Sequence, residues 1–466
     1  MNGKRRNDAA NNAYKYRLYP NDDQRLLIAK TFGCCRYYWN AIIEDTLWIH
    51  EETGSWIDTP RPAEYKRIAS ESFLKEVDSN ALCNVQLAYE QALRNHFKNP
   101  SHFGLPTFHA RQGLKGSYKT NMVIGTNRKT GEHTYNIELV ENGIKLPKLG
   151  WVKVNCHRPL PEGARIKNVT VSRESNGDYY VSVGFYDPQL EAILKENDIQ
   201  PMTDSSVLVA TALDYSSASL FVNEAGIHPE QLKAYTRNLK RIRRLSRQVS
   251  RKQKGSNNYH KAQARLNKLH RRIARQREDF LHKVSCALAR VFDVVCIEDL
   301  NLRGIANSKF RLGRSTYDNA WGMFVRLLGY KLRRKGGLLV KVGRFYPSSK
   351  VCHHCGAKFD GLTLDMREWV CPECHTELDR DVNAAWNILT EGLRILCSGE
   401  HEGVEPGVFS ESMFITAGGT PVSGESPALM PVEGRKTWRV LDSKGSPVEA
   451  GIKELYMRIA NASIAV

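Results

Sequence analysis

Residues 13–20 set Tyr14, Tyr16 and Leu18 against Lys15 and Arg17, the period-two alternation of a strand. Asn21 then precedes Asp22 and Asp23 and the apolar positions Leu26, Leu27, Ala29 and Phe32, which predicts a capped helix running towards Trp39 and Ile42. Leu82, Val85, Tyr89 and Ala92 recur at steps of three and four and mark one face of further helix to about Lys98. Residues 99–119, rich in Gly, Pro, His and Lys, read as a loop or basic edge. From about Met122 to Tyr186 short strand patterns follow at 135–139, 151–154, 168–172 and 179–183, with Asn142-Gly143 and Asn176-Gly177 as hairpin turns. This spacing predicts a small antiparallel β-barrel, joined by the strand at 13–20, with the helices inserted between. Residues 188–205 are polar and acidic and read as a linker.

A third unit opens near Ser206. Val207–Leu213 reads as a buried strand and Ser219–Asn223 as its hairpin partner. Two basic helices fill about 230–290, joined by a turn at Lys254-Gly-Ser-Asn-Asn258. Leu239, Ile242, Leu245 and Val249 hold one face to the protein and leave the other cationic. Val291–Ile297 and Leu338–Val342 read as strands, and 317–335 as a helix. One more helix runs to about Ile395. Residues 398–450, rich in Gly, Ser, Pro and Glu, predict poor order.

Charge gives this pattern a partner. The 466 residues carry a net charge of +18, with a pI of about 9.4. Such an excess favours a polyanion, nucleic acid first and an anionic membrane surface second. No apolar run reaches the length of a spanning helix, and no signal peptide opens the chain. The eleven cysteines form an odd set that predicts a reducing, bacterial-type cytoplasm. Lys240, Arg241, Arg243, Arg244, Arg247 and Arg251, with Lys268, Arg271 and Arg272, are the candidate phosphate contacts, since few acids lie among them. A solvated charged helix pair is the competing reading.

Two motifs carry chemistry. Cys352-His-His-Cys355 and Cys371-Pro-Glu-Cys374, fifteen residues apart, have the spacing of a four-cysteine zinc site. Four thiolates close the coordination sphere, so such a zinc is structural. His353, His354 and His375 are spare. The second motif is a set of carboxylates at element ends: Asp214 after Val207–Leu213, Glu298 after Val291–Ile297, and Asp381 opening the helix behind the zinc site. Brought together they repel unless a cation fills the centre. Mg²⁺ suits them, and two ions would serve in-line phosphodiester hydrolysis. A turn or helix cap is the ordinary role of each acid alone, and Asp299 and Asp379 are close rivals.

Taken in order, Asp214-Tyr-Ser, Ile297-Glu298-Asp299-Leu-Asn-Leu, Pro347-Ser-Ser-Lys-Val-Cys352-His-His-Cys355-Gly, Cys371-Pro-Glu-Cys374 and Asp379-Arg-Asp381-Val-Asn383-Ala-Ala resemble the TnpB proteins of transposons and the compact type V CRISPR effectors. Tyr14–Pro20 and Phe32-Gly-Cys-Cys-Arg36 are similar to that family's start, so the likeness spans about 13–395.

The resemblance implies a multidomain α+β protein. A wedge β-barrel would comprise 13–21 and 111–187, with a helical recognition lobe at 22–110 inserted in it. A linker at 188–205 would lead to a RuvC-like nuclease of RNase H fold at 206–345 and 376–396, with the zinc ribbon at 346–375 inserted. Outside the likeness, 1–12 reads as a flexible tail and 397–466 as a C-terminal tail, partly disordered. Asp214, Glu298 and Asp381 would bind Mg²⁺, and Cys352, Cys355, Cys371 and Cys374 one Zn²⁺. The resemblance further implies a guide RNA, a target DNA read beside a short flanking motif, and a monomer or homodimer. Ser216 stands where many members have Gly. A catalytically silent guided repressor and an RNA-independent transposase or resolvase are the rival readings.

Overall fold

The computed structural model describes residues 10–416, apart from 57–59, 111–114, 127–130, 200–207, 231, 308–312, 364, 402–403, 405–407 and 411–412. The chain divides into two compact units. One comprises 1–191 with 254–268, the other 192–253 with 269–466.

In the first unit β1 (Asn11–Tyr19) leads into α1 (Asp22–Thr53), and α2 spans Ser79–Lys98. Asn21 caps α1 as its sequence predicts. Its side chain accepts the Gln24 amide at 2.8 Å, and Gln24 Oε1 accepts the Asn21 amide at 3.0 Å, a reciprocal box that satisfies two free donors. The strands that follow are β2 (Gly116–Asn121), β3 (Glu138–Val140), β4 (Gly143–Leu146), β5 (Gly150–Asn155), β6 (Arg165–Arg173) and β7 (Tyr179–Tyr186). They form one antiparallel sheet in the order β2-β6-β7-β1-β5-β4-β3. Both Asn-Gly pairs fall at or beside the expected hairpin turns, between β3 and β4 and between β6 and β7. Among the described residues the pairings form a path with two edges, β2 and β3, without the pairing that would close a barrel. Tyr14, Tyr16 and Leu18 face the core shared with α1 and α2, as their alternation requires. The stretch read as a linker contains a helix, α3 (Pro188–Ile199), which begins directly after β7.

The second unit is built on a mixed sheet. Its elements are β8 (Leu208–Ser216), β9 (Leu220–Asn223), α4 (Ala234–Ser250), α5 (Asn257–Val291, whose first turns belong to the first unit), β10 (Val294–Glu298), α6 (Gly313–Asn319), α7 (Trp321–Lys335) and β11 (Leu338–Val342). Then come β12 (Glu368–Val370), β13 (Glu377–Asp379), α8 (Arg380–Cys397) and β14 (Phe414–Ile415). The sheet order is β9-β8-β10-β11; β8, β10 and β11 run parallel, and β9 is antiparallel to β8. Ala210, Ala212, Val294, Cys296, Val340 and Val342 face α8, which packs Ile388, Leu389, Leu393 and Leu396 onto them. The approach is close. A Cβ on Gly392 would lie 2.4 Å from Cys296 Sγ, so only glycine fits there.

The tail does not loosen at once after 397. Phe409 and Phe414 enter this core, and β14 pairs with the start of β8. Two buried rings there outweigh the polar composition around them. The rest of the expected tail, 417–466, and the basic start at 1–9 lie outside the described residues. Among the described residues no helix is long and apolar enough to cross a membrane.

Candidate functional site

The sheet register brings two of the acids side by side. Leu213 pairs with Ile297 in the parallel ladder, so the next residues, Asp214 and Glu298, stand at the same level of adjacent strands. Neighbouring strands lie about 4.8 Å apart. Alternation puts Asp214 on the face of Ala212, and Glu298 on that of Cys296, which is the face covered by α8. Asp214 lies within β8, which continues to Ser216, rather than past the strand's end as the apolar run predicts.

The third acid comes from the helix on that face. Asp381 is the second residue of α8. The cap itself is Asp379, whose Oδ1 accepts the amides of Asp381 at 2.9 Å and Val382 at 2.8 Å. Asp381 is thereby free of capping duty. Of the neighbours Glu298 and Asp299, Asp299 is ion-paired to Arg344 at 3.2 Å and Lys341 at 3.8 Å, while alternation leaves Glu298 on the face of Cys296.

The Asp214 carboxyl is held well above the usual range, first by burial and then by the charges of Asp381 and Glu298, with Arg380 opposing. Burial raises Glu298 to about 7. Asp381 is held by two arginines: Arg367 Nη1 donates to Oδ2 at 2.9 Å and Arg380 Nη2 to Oδ1 at 3.1 Å. The oxygens of the three acids do not all close to within 4.8 Å of one another. Among the described residues only the four cysteines form such a group.

The cysteine cluster fits zinc directly. Sγ of Cys352 lies 3.7 Å from that of Cys374, and Sγ of Cys355 lies 3.6 Å from that of Cys371. A tetrahedral ion with Zn–S bonds of about 2.3 Å has edges of about 3.8 Å. Burial pushes the Cys352 thiol up to about 12, while hydrogen bonds with Thr376 pull that of Cys374 down to about 6. Trp369, Leu378 and Phe359 make only a small apolar cluster around the knot, too little core to hold it unaided. Trp369 stacks on Phe359. β12 and β13 pair, so the ribbon continues past 375 to Asp379 and runs straight into α8.

Residues that the motif contains without announcing their role join the two sites. Buried Asn383 accepts the His353 amide at 2.9 Å and donates to the Val351 carbonyl at 2.8 Å. Asn387, one turn on, donates to the carbonyls of Ser348 and Val351. Their one signal in the sequence is a pair of amides four residues apart on an otherwise apolar helix face.

The predicted cationic residues have separate settings. Lys240, Arg241, Arg243, Arg244, Arg247 and Arg251 are exposed on or at the end of α4, whose Ile242 is buried. Lys268 and Arg272 are exposed on α5, and Arg271 is partly buried. Asp318 caps α4 from a distance: it accepts the amides of Tyr235 and Thr236 and is paired to Arg277 at 3.1 Å. In the first unit, a groove of about 1030 Å³ is lined by Lys15, Arg36, Trp39, Asn84, Lys119 and Arg173, among others. Trp39 stacks flat on His109 at its wall, 4.5 Å between centroids.

Comparison with known proteins gives this arrangement a lineage. Residues 216–309 match the family model described as "Probable transposase", OrfB_IS605, and 321–388 match "Cas12f1-like, TNB domain". Residues 10–55 match a model described as "Helix-turn-helix domain"; in this chain they form β1 and the single helix α1. A protein of Streptomyces pristinaespiralis described as "Putative RNA-guided DNA endonuclease" is 35% identical over 84% of this chain and 92% of its own length. InsQ of Escherichia coli (strain K12), of the same description, is 29% identical over 83% of this chain and 94% of its own. A solved Cas12f1–sgRNA–target DNA complex covers 81% of this chain and 98% of its own at 14% identity, with a TM-score of 0.48. Identity at the level of the Streptomyces protein, along nearly the whole of that relative, makes this chain a member of the TnpB family of RNA-guided DNA endonucleases.

Proposed function

We propose that this protein is an RNA-guided DNA endonuclease with a RuvC-like centre formed by Asp214, Glu298 and Asp381. One observation carries the reading: the register sets Asp214 and Glu298 side by side on the face covered by α8, whose second residue is Asp381, so that like charges from distant parts of the sequence meet. Such mutual repulsion is costly, and its use is to hold cations. The carboxylate oxygens suit Mg²⁺, which when bound supplies water activation and stabilisation of the departing oxygen. Asp214 and Glu298 offer oxygens from adjacent strand positions, and Asp381 from the facing helix. Arg367 and Arg380 fix the Asp381 carboxylate and add positive charge beside the phosphate to be cut. A mixed sheet with its acids at the carboxyl ends of parallel strands supports the RNase H kinship.

Guide RNA would supply sequence choice by pairing, and the protein would grip phosphates. The groove beside Trp39, with cations and amides along one channel, is the surface we assign to the short flanking DNA motif. Exposed arginines on α4 serve the backbone of the guide or its hybrid. Replacing Arg241, Arg244, Arg247 and Arg251 by Ala should lower the slope of log affinity against log salt by roughly 0.7–0.9 for each phosphate no longer gripped, measured by filter binding of guide RNA. An unchanged slope would remove α4 from the interface.

The deciding experiment purifies the protein free of nucleic acid, then restores the RNA that co-purifies with it. DNA matching that RNA should be cut only after restoration. Cutting by the RNA-free protein would favour the transposase or resolvase reading, and no cutting with RNA restored would favour a guided repressor.

A further inference from the structure

We infer that Phe345 and Tyr317 form a stacking platform for unpaired nucleobases of the DNA strand cut at Asp214, Glu298 and Asp381; this rests on the nuclease reading above. Phe345 is 93% exposed and Tyr317 65%. A lone exposed ring is ordinary on a protein surface. These two differ in how firmly their backbones are held and in what they stand beside.

Phe345 rides a pinned loop. On one side Arg344 donates through Nε to the Asp299 carbonyl at 3.1 Å and through Nη2 to the Asp299 carboxylate at 3.2 Å. On the other, Tyr346 donates its amide to the Gly343 carbonyl at 3.0 Å and packs on the sheet–helix core. Ser348 is buried, and its carbonyl accepts Asn387 Nδ2 at 2.7 Å. The loop is therefore ordered, yet the phenyl ring between its anchors covers nothing. Phe345 is the third residue after Val342, which is Glu298's partner in register. Three residues span at most about 11 Å, so the ring stays near the acids.

Tyr317 repeats the pattern at the other side. Thr316, Asp318 and Asn319 are all buried around it. Asn319 Nδ2 donates to the Ser216 carbonyl at 3.0 Å, two residues past Asp214. One ring is thus tied to the end of β8 and the other to the end of β11, with β10 and Glu298 between them. A row of acids for the phosphate, with an aromatic face on either side, fits a single strand whose bases are splayed from one another. Bases in a duplex are already stacked and gain little from such a surface. Ring faces take every base alike, which suits a strand whose sequence the guide decides.

The test uses the full-length, guide-loaded protein and a complementary single-stranded DNA. An otherwise identical strand carries abasic sites on both sides of the cut. Stacking per base corresponds to roughly 5- to 100-fold in affinity or rate, so Phe345→Ala should slow cleavage of the intact strand by that factor, and Phe345→Trp should restore most of it. Tyr317→Ala should behave in the same way. The strand abasic on both sides should slow the wild type by about the product of the two Ala effects, and the Phe345→Ala/Tyr317→Ala double variant hardly further. Zinc content and guide binding, equal to wild type, verify folding. Cutting by Phe345→Ala at the wild-type rate would overturn the proposal. So would abasic sites that slow the double variant as much as the wild type, because the bases and the rings would then act independently. Wild-type cutting that is lost in Asp214→Ala establishes the nuclease reading in the same assay, so failure at the rings would leave it standing.

Discussion

Replacing Asp214 by Asn should abolish guide-directed cleavage while making the protein harder to melt. The two effects have one cause. Asp214 is crowded by protein and repelled by Asp381 and Glu298, and its carboxyl is held well above its usual range in consequence. In the folded chain the acid resists ionising; in the unfolded chain it ionises freely. Between the unfolded range, about pH 4, and the raised folded values, which for Glu298 reach about 7, the folded state holds more protons than the unfolded. Stability contributed by the protonated forms is therefore present at low pH and falls as pH rises through that window. Asn keeps the shape and removes the charge. With Mg²⁺ withheld and zinc retained, calorimetry should show the wild-type melting temperature falling from pH 5 to pH 8. The fall should be shallower in the variant, whose transition should lie roughly 2–4 °C higher at pH 8, the shift that about 1 kcal/mol gives in a domain of this size. Cleavage should drop by at least about 10³-fold, since losing an oxygen that orients metal-assisted attack removes several kcal/mol from the transition state. A variant that cuts at an appreciable rate would remove Asp214 from the centre. A variant that melts lower would mean its charge is compensated by groups other than those named.

Much of this centre is legible in the chain because its parts are written locally. An apolar run that ends in an acid, as at Val207–Asp214 and Val291–Glu298, reports a strand and its polar terminus in one stretch. The zinc spacing is equally local, and Asn21 before two acids announces α1. What stays hidden depends on partners far away. Asp299 and Glu298 have the same chemistry, and only Arg344, brought from 45 residues on, shows which of them is spoken for. Arg367 gives no sign in the sequence that it will reach Asp381. The insertion of β1 between β5 and β7 follows from long-range pairing, which local alternation does not encode. The segment after 397 reads as polar tail because two core rings, Phe409 and Phe414, are diluted among Gly, Ser and Glu. The helix at Pro188–Ile199 reads as a linker because its polar, acidic composition carries little of the helical period.

Loss of zinc should stop cleavage without a change to any acid. Cys352→Ser, or a zinc-selective chelator with Mg²⁺ in excess, removes the ion that holds a ribbon with almost no core of its own. Binding energy in such a site is folding energy, about 10–16 kcal/mol in isolated fingers. Its loss should release β12 and β13, which are continuous with the first turn of α8. Asp379 then ceases to be a fixed cap, the Arg367 clamp leaves, and Asp381 loses its position. Cleavage should fall by at least about 10²-fold, a displacement of about 1 Å being sufficient for that. Asn383→Ala separates this coupling from unfolding of the ribbon. It leaves the four thiolates intact but strands the His353 amide and removes one of the two donors to the Val351 carbonyl, at a cost of about 1–3 kcal/mol. Zinc content, measured by metal analysis, should remain at one per chain, while the cleavage rate drops by roughly 10- to 100-fold, the range for groups that orient a ligand from behind. If Asn383→Ala cuts at the wild-type rate with zinc retained, the ribbon and the acids are neighbours only. If Cys352→Ser cuts normally, the ion is dispensable for placing Asp381, and α8 is held by its packing on the sheet alone.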